Sequence, residues 1–454
     1  MPSDKPRQDG ARDAADEQVG PSRSLVGTIV LLLASARSSM DPRKWLIGGL
    51  ATLLVAAAGM VCDGWSETTQ ETTRWPWQAD LGSLETVASG GHWLDDVADH
   101  PLKAVEQAAW NPRLLGRPVT DVVEPVVTIV APKPTWSATA VAWTRFLAAI
   151  LAWSVAGMML VRMTAADVIR GKSLSLRDVT GFGARQAGST LSAALISLVC
   201  FGAMWGLGVM AGLFARIPAV GPVVVSVLWF LPLLLGLLMT ILTIGFVVGW
   251  PLMVATIGVE DSDGFDGFSH AHGYLTDRPA LLTGTVVIAA VVGSVAAFVG
   301  WVVFSLTIWM AGASVAAGLN AFGDATGSPH TLEQLSSHVM PSFVDGGELP
   351  EGLVVVTATD GDAGTGVPGA ATFGLFWIRM ARLLLVGYVA SLFWSLVTGV
   401  YLVVRESADG IPATRMWLQS DERGADIERD SAEGTPEAPG GAGPLDESSD
   451  AAEP

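Results

Sequence analysis

Charge is scarce over long stretches of this chain. Between Gln186 and Val259 there is one charged residue, Arg216, and residues 279–323 contain none. A helix of about 20 apolar residues crosses the hydrocarbon core of a bilayer, so these stretches are long enough for several crossings. A water-soluble fold is therefore excluded, and the lipid bilayer is the expected surroundings of the chain.

Cysteine and recognisable catalytic motifs are also scarce. Cys62 and Cys200 are the only cysteines, and both lie in apolar segments without a CxxC neighbour, so we expect buried thiols. No Walker loop, nucleophile elbow or zinc-protease motif is present, and no basic stripe indicates nucleic-acid binding. We therefore predict no catalytic residue and no cofactor, and we do not expect an enzyme.

Six apolar segments have the length of a transmembrane helix. They cover residues 45–62, 138–163, 189–213, 223–254, 280–313 and 383–404. The predicted fold class is an all-α membrane protein with about six transmembrane helices and additional interfacial amphipathic helices. Residues 23–405 would form this domain, between disordered tails at 1–22 and 406–454.

A shorter apolar segment, residues 24–36, precedes the first span. Its end, Ala34-Ser35-Ala36, is similar to a signal-peptide cleavage site. The acidic, proline-containing residues before it argue against that interpretation. An uncleaved helix on or partly in the membrane is favoured, and a signal peptide or an extra span are the alternatives.

Lysine and arginine are distributed unevenly among the loops. The loop at 318–371 has none, whereas the opposite side would carry Arg37, Arg43, Lys44, a cluster from 162 to 185, Arg278 and Arg405. Positive charges favour the cytoplasmic side, so we predict a cell inner membrane protein with both termini in the cytoplasm. The outer loops are then 65–137 and 318–371, and the first, rich in tryptophan and proline, is expected to lie on the bilayer surface.

Two polar segments are weak candidates for metal binding. On a helix, His92, Asp96, Asp99 and His100 would share one face, and imidazole with carboxylate suits zinc or manganese. A solvated acidic face is favoured there, because Pro101 limits the helix. A membrane-embedded metal-dependent hydrolase that uses this cluster is a remote alternative.

The second segment, 260–272, has carboxylates spaced DxDxxD followed by His-x-His, but it lacks the later ligands of a calcium loop. We predict instead an amphipathic helix that begins with aspartate caps. Its aromatic residues Phe265, Phe268 and Tyr274 would then face lipid.

Glycines recur at GxxxG spacing in two of the spans. The pairs are Gly202 and Gly206, Gly208 and Gly212, and Gly245 and Gly249. Such spacing lets helices approach closely. Packing within the chain is the favoured interpretation, and dimerisation is the alternative.

Three passages resemble a family of uncharacterised bacterial multi-pass membrane proteins. The first is FDGFSHAHGYLTDRP, in which Phe265, Asp266, Ser269, Tyr274, Arg278 and Pro279 fit a pattern FDA-x-SR…Y…RP. The second is FWSLVTGVYLVVRESADG, similar to an FWS…YLLLR…DG ending, and the third is DPRK at residues 41–44. The resemblance implies a helical membrane protein and brings no established activity.

The predicted spans are almost free of ionisable groups. Arg145 lies near the outer end of the second span, and coupled transport is hard to build without buried charges. The favoured function is structural, as a scaffold or envelope-organising protein, and the alternative is a permease or channel-like transporter. The tail at 406–454, with thirteen Asp and Glu against three Arg, could recruit a protein partner.

Overall fold

The computed structural model describes residues 24–64, 75–76, 115–130, 135–218, 220–321 and 370–410. These residues form ten helices and no strand, which confirms the all-α fold class. The helices are α1 Leu25–Ser38, α2 Pro42–Asp63, α3 Arg117–Val130, α4 Trp136–Arg170, α5 Leu176–Phe214, α6 Val220–Val227, α7 Phe230–Glu260, α8 Gly264–Asp277, α9 Pro279–Ala321 and α10 Ala370–Asp409.

Six helices of the described part are long and apolar enough to cross a membrane, so the chain is a multi-pass membrane protein. The candidate spans are Pro42–Asp63, Trp136–Arg170, Leu176–Phe214, Phe230–Glu260, Pro279–Phe304 and Arg379–Ala408. The division into a membrane domain and two tails stays a prediction, because residues 1–23 and 411–454 lie outside the described residues.

Helices α2, α4 and α10 form the centre of the bundle. The side chain of Asp41 accepts a hydrogen bond from the Arg43 amide, and Pro42 occupies the first turn, so α2 begins with favourable capping. Its first turns lie against α10, where a Cβ on Gly48 would be 2.6 Å from the Gly387 carbonyl oxygen. At the far end of α2, Asp63 forms an ion pair with Arg145 of α4.

Helices α5 and α7 form an antiparallel hairpin, with α6 and a turn at residues 215–218 between them. On the near half of α5, Thr190 and Ala194 are buried, and Thr190 lies beside Met158 of α4. Farther along, Leu207 of α5 and Leu237 of α7 are exposed on the protein surface. The hairpin thus leaves the bundle over its far half, where lipid is expected to cover it.

Helix α8 confirms the predicted aspartate cap, because the side chain of Asp263 accepts from the Asp266 amide. Phe265 is exposed, as expected. The prediction that its partners also face lipid is wrong: Tyr274 is buried and Phe268 packs against the core. Both turn inward because α8 lies across α5 and α7, and Tyr274 reaches Tyr401 and Arg405 of α10.

The glycine pairs divide between two environments. A Cβ on Gly245 would lie 3.2 Å from the His272 ring, and one on Gly249 would lie 3.3 Å from Leu275, so this α7 pair packs against α8. In α5, Cβ atoms on Gly202 and Gly206 would meet nothing within 4 Å. Packing within the chain is therefore confirmed for the α7 pair and is wrong for this α5 pair.

Helix α3 is an element that the sequence analysis did not predict. It belongs to the loop at 65–137, which we expected on the bilayer surface, yet it packs along α4 with Val122 almost fully buried. Leu115, just before α3, fills the space beside Gly293 of α9 and Leu396 of α10.

Candidate functional site

The predicted metal cluster at His92, Asp96, Asp99 and His100 lies outside the described residues, so it stays a prediction. Within the described ranges, no group of three or more His, Cys, Asp or Glu side chains is placed to hold a metal ion. The carboxylates of the 260–272 segment serve separate purposes. Glu260 pairs with Arg405, Asp261 accepts from Gln186, and Asp263 caps α8.

The most buried charged group among the described residues is the ammonium of Lys44, at the start of α2. It donates to the Ser38 carbonyl oxygen at 2.9 Å, to the Ser38 hydroxyl, and to Thr164 Oγ1 of α4 at 3.1 Å. Asp167 Oδ2 lies 3.9 Å away. An ammonium has three donors, and these contacts use all of them. The charge also lies at the C-terminal end of α1, where the helix dipole favours a cation.

Hydroxyl groups extend this cluster into α10. Thr164 Oγ1 and Ser395 Oγ are 3.0 Å apart, and both side chains are fully buried. Ser391 Oγ lies 3.4 Å from the Ser39 carbonyl oxygen, which also accepts from Trp45 Nε1 at 2.7 Å. The turn between α1 and α2 is thus held by polar contacts against the middle of α10. We call the set Ser38, Ser39, Lys44, Thr164, Ser391 and Ser395 the Lys44 cluster.

A second polar cluster joins the end of α7 to α8 and α10. Arg405 Nε lies 2.9 Å from Glu260 Oε1, and Arg405 Nη1 donates to the Tyr274 hydroxyl at 3.1 Å. Tyr401 also donates to Glu260. The neighbouring Arg162 of α4 donates to the carbonyl oxygens of residues 258 and 259, which are acceptors at the end of α7. These contacts join α4, α7, α8 and α10, and the Glu260 carboxylate is both hydrogen-bonded and paired with Arg405.

A third polar feature is the face of α3. Trp153 Nε1 of α4 donates to Asp121 Oδ2 at 3.1 Å. Trp153 is fully buried and Asp121 is half-buried. Asp121 therefore lies in a partly desolvated position that no span prediction anticipated.

Large aromatic side chains close the region where α4, α7 and α10 meet. The Trp250 and Trp394 rings pack edge to face at 5.7 Å, and Trp250 Nε1 lies 3.3 Å from Ser154 Oγ. Gly157 accommodates Trp394, since a Cβ there would lie 2.5 Å from the indole ring. This region of the bundle is therefore filled by packed side chains.

Sequence reasoning missed the two ionic clusters. Lys44 and Arg405 were assigned to the ends of spans, where lysine and arginine ordinarily face water. Their burial depends on α1 and α8 folding against the bundle, which hydropathy does not encode. The available signal for these two residues lay in the family-like passages, since DPRK contains Lys44 and YLVVR contains Arg405.

The three passages that carried the family resemblance come together in the fold. Tyr274 of the first contacts Arg405 of the second, Arg278 Nη1 donates to Ser407 Oγ at 2.8 Å, and Lys44 of the third reaches Ser395 through Thr164. The resemblance itself stays a prediction: no protein family matches the chain, and neither a curated protein nor a solved structure matches it. The chain is established as an all-α, multi-pass membrane protein.

Proposed function

We propose that this protein has a structural role in the membrane, in which a closed helix bundle holds its acidic C-terminal segment at a defined position. The observation that carries the proposal is the filled meeting point of α4, α7 and α10, where Trp250 and Trp394 pack against each other and Trp394 packs against Gly157. A centre of this kind favours rigidity over a path for solutes.

The C-terminal segment follows the most deeply packed span. In the most apolar stretch of α10, 78% of the residues are buried, and the helix ends at Asp409. Residues 406–454 carry thirteen acidic residues against three arginines, a net charge of −10. A partner with a basic surface is the chemistry that this segment fits, and the bundle would hold such a partner beside the bilayer.

The proposed location is the cell inner membrane, with both termini in the cytoplasm. It rests on the basic residues at the C-terminal ends of α4 and α10 and on the absence of Lys and Arg from 318–371. A membrane-impermeant thiol reagent applied from outside should label a cysteine at Ser328 and not one at the exposed Ser269. The reverse labelling would overturn the orientation.

The role is tested by purifying the chain from native membranes beside a variant in which every Asp and Glu from 421 to 453 becomes Asn or Gln. We expect proteins with basic surfaces to accompany the native chain, to be lost from the variant, and to dissociate as salt is raised. Recovery of the same proteins with both chains would contradict the proposal.

A permease-like function is the second candidate, and a specific observation favours it. Helix α3 places Asp121 against Trp153, in the interior of the span Trp136–Arg170. Ionisable groups among transmembrane helices often mark transport pathways. Flux of small ions and neutral solutes into vesicles containing the purified chain distinguishes the candidates, because a structural protein should add nothing to the leak of empty vesicles.

A further inference from the structure

Two contacts, one just before α3 and one in its second turn, set the position of α3 relative to the spans. A Cβ on Gly293 would lie 2.5 Å from Leu115 Cδ2 and 2.6 Å from Leu396 Cδ1. Gly293 lies about 21 Å along α9 from Pro279, at a rise of 1.5 Å per residue, and Leu396 lies well inside the span Arg379–Ala408. The chain therefore enters α3 at the depth of the span centres.

Asp121 gives an independent measure of that depth. Its carboxylate accepts a hydrogen bond from Trp153 of α4. Along α4, Trp153 lies between Arg145, which pairs with the far end of α2, and Thr164, which bonds to Lys44 at the start of α2. With a rise of 1.5 Å per residue, Asp121 is about 9 Å along α3 from Leu115. Two contacts on different helices agree that the first half of α3 lies among the spans.

The two faces of α3 differ in chemistry. Pro118, Val122 and Pro125 are buried against the bundle. Beside this face runs a stripe of polar side chains at helical spacing, of which Thr120 and Glu124 are exposed and Asp121 is turned toward Trp153. The stripe consists of Arg117, Thr120, Asp121, Glu124 and Thr128. We call this set the α3 polar face.

Hydrocarbon is a poor environment for this face. Ionised side chains at membrane depth are expensive unless they contact protein or water, and non-spanning backbone at that depth is found where it is buried or lines an aqueous cavity. The face has one cation, Arg117, against the carboxylates of Asp121 and Glu124, so its formal charge is −1. Contact with water would meet both requirements, because it would hydrate the ionised side chains and place the α3 backbone beside an aqueous cavity.

We infer that α3 is a re-entrant helix whose polar face lines a water-filled recess that reaches the middle of the bundle. The recess admits small hydrophilic solutes, and its negative charge favours cations over anions. The recess is lined by α3, which contributes no residue to the closed meeting point of α4, α7 and α10, so it goes beyond the structural role proposed above and does not depend on it.

The test is thiol accessibility in vesicles opened to reagent on both sides, so that membrane orientation does not matter. Cys62 and Cys200 are first replaced by alanine, and single cysteines are then introduced as Thr120→Cys and Glu124→Cys. The matched controls are Val291→Cys and Val295→Cys, on α9 beside Gly293, where both side chains are exposed, at 53% and 44%. The probes are a cationic and an anionic methanethiosulfonate, each normalised to its rate with a free thiol.

We expect the α3 cysteines to react at least about tenfold faster than the α9 cysteines, because hydrocarbon excludes charged reagents. The cationic probe should be favoured at Thr120→Cys, where both carboxylates remain, and less so at Glu124→Cys. Equally slow labelling at α3 and α9 would show that no recess exists. Equally fast labelling would show that this depth is not hydrocarbon, which also overturns the inference. A reversed charge preference would refute its cation selectivity.

Discussion

The central helices α4 and α10 differ from the hairpin helices α5 and α7 in how much of their apolar surface is buried in protein. All four are strongly apolar. In their most apolar stretches, 67% and 78% of the residues of α4 and α10 are buried in protein, against 17% and 11% in α5 and α7. In lipid, apolar surface alone does not drive helices together, and small residues and polar contacts decide which faces pack. The central helices have such contacts, including Gly157 with Trp394 and Thr164 with Ser395.

The difference in packing is tested most strongly by truncating one leucine in each region. Leu160 of α4 is fully buried, whereas Leu207 of α5 is 59% exposed. Leu160→Ala should lower the free energy of unfolding in micelles by about 2–5 kcal/mol, because it leaves a cavity. Leu207→Ala should change it by less than about 0.5 kcal/mol. Equal losses would show that the hairpin is packed as tightly as the centre.

The second contrast removes a charge from adjacent positions of α2. Lys44→Met leaves the Ser38 carbonyl oxygen and other acceptors of the Lys44 cluster without their donor, and we expect a loss of about 1–3 kcal/mol. Arg43 is exposed, so Arg43→Met should have little effect. Unfolding by denaturant measures both. A Lys44→Met chain as stable as the parent would mean that the cluster contributes nothing to the bundle.

The third contrast adds one methyl group to a glycine in each region. Gly157→Ala places a Cβ against the Trp394 ring and should cost about 1–3 kcal/mol through overpacking. Gly206→Ala meets nothing and should raise stability by up to about 1 kcal/mol, since alanine favours the helix. The midpoint of thermal unfolding should move in opposite directions. A shift of the same sign in both variants would refute the assignment of these faces.

The smallest expected effect is at α8, which joins the two regions. Asp263→Ala removes the cap of α8 and should cost about 0.5–2 kcal/mol, while Asp266→Asn, at an exposed first-turn position, should cost only a few tenths. Hydrogen exchange should become faster in the first turns of α8 before it does so in α10. Uniformly faster exchange would indicate that α8 does not open separately.

The spans could be predicted from sequence because the cost of charge in lipid is read directly from residue type. All six were located by long charge-poor runs, as in α7 and α9. The aspartate cap of α8 was equally accessible, since it depends on residues within one turn. Nothing comparable marks the exposed glycines of α5, because a GxxxG pair looks the same whether a helix or lipid lies opposite.

Helix α3 was missed because it violates the span criterion. It is short, contains Pro125, and carries Asp121 and Glu124, so hydropathy treats it as loop. Its amphipathic period was the available signal, with Pro118, Val122 and Pro125 recurring on one face. The DPRK passage did not reveal the Lys44 cluster, because Thr164, Ser391 and Ser395 are far from Lys44 in sequence and meet it only when α4 and α10 pack on α2.

The contacts of α10 also bear on how the protein is made. Ser391 approaches the carbonyl of Ser39 across 352 positions of sequence, and α10 is the last helix of the described chain to leave the ribosome. Since domains assemble as their parts are synthesised, α1, α2 and α4 must wait in the bilayer with their α10-facing surfaces uncovered. Biogenesis therefore ends with a late docking step, and a nascent chain stopped before residue 370 would present the Thr164 hydroxyl and the α1–α2 turn to lipid or to membrane quality control.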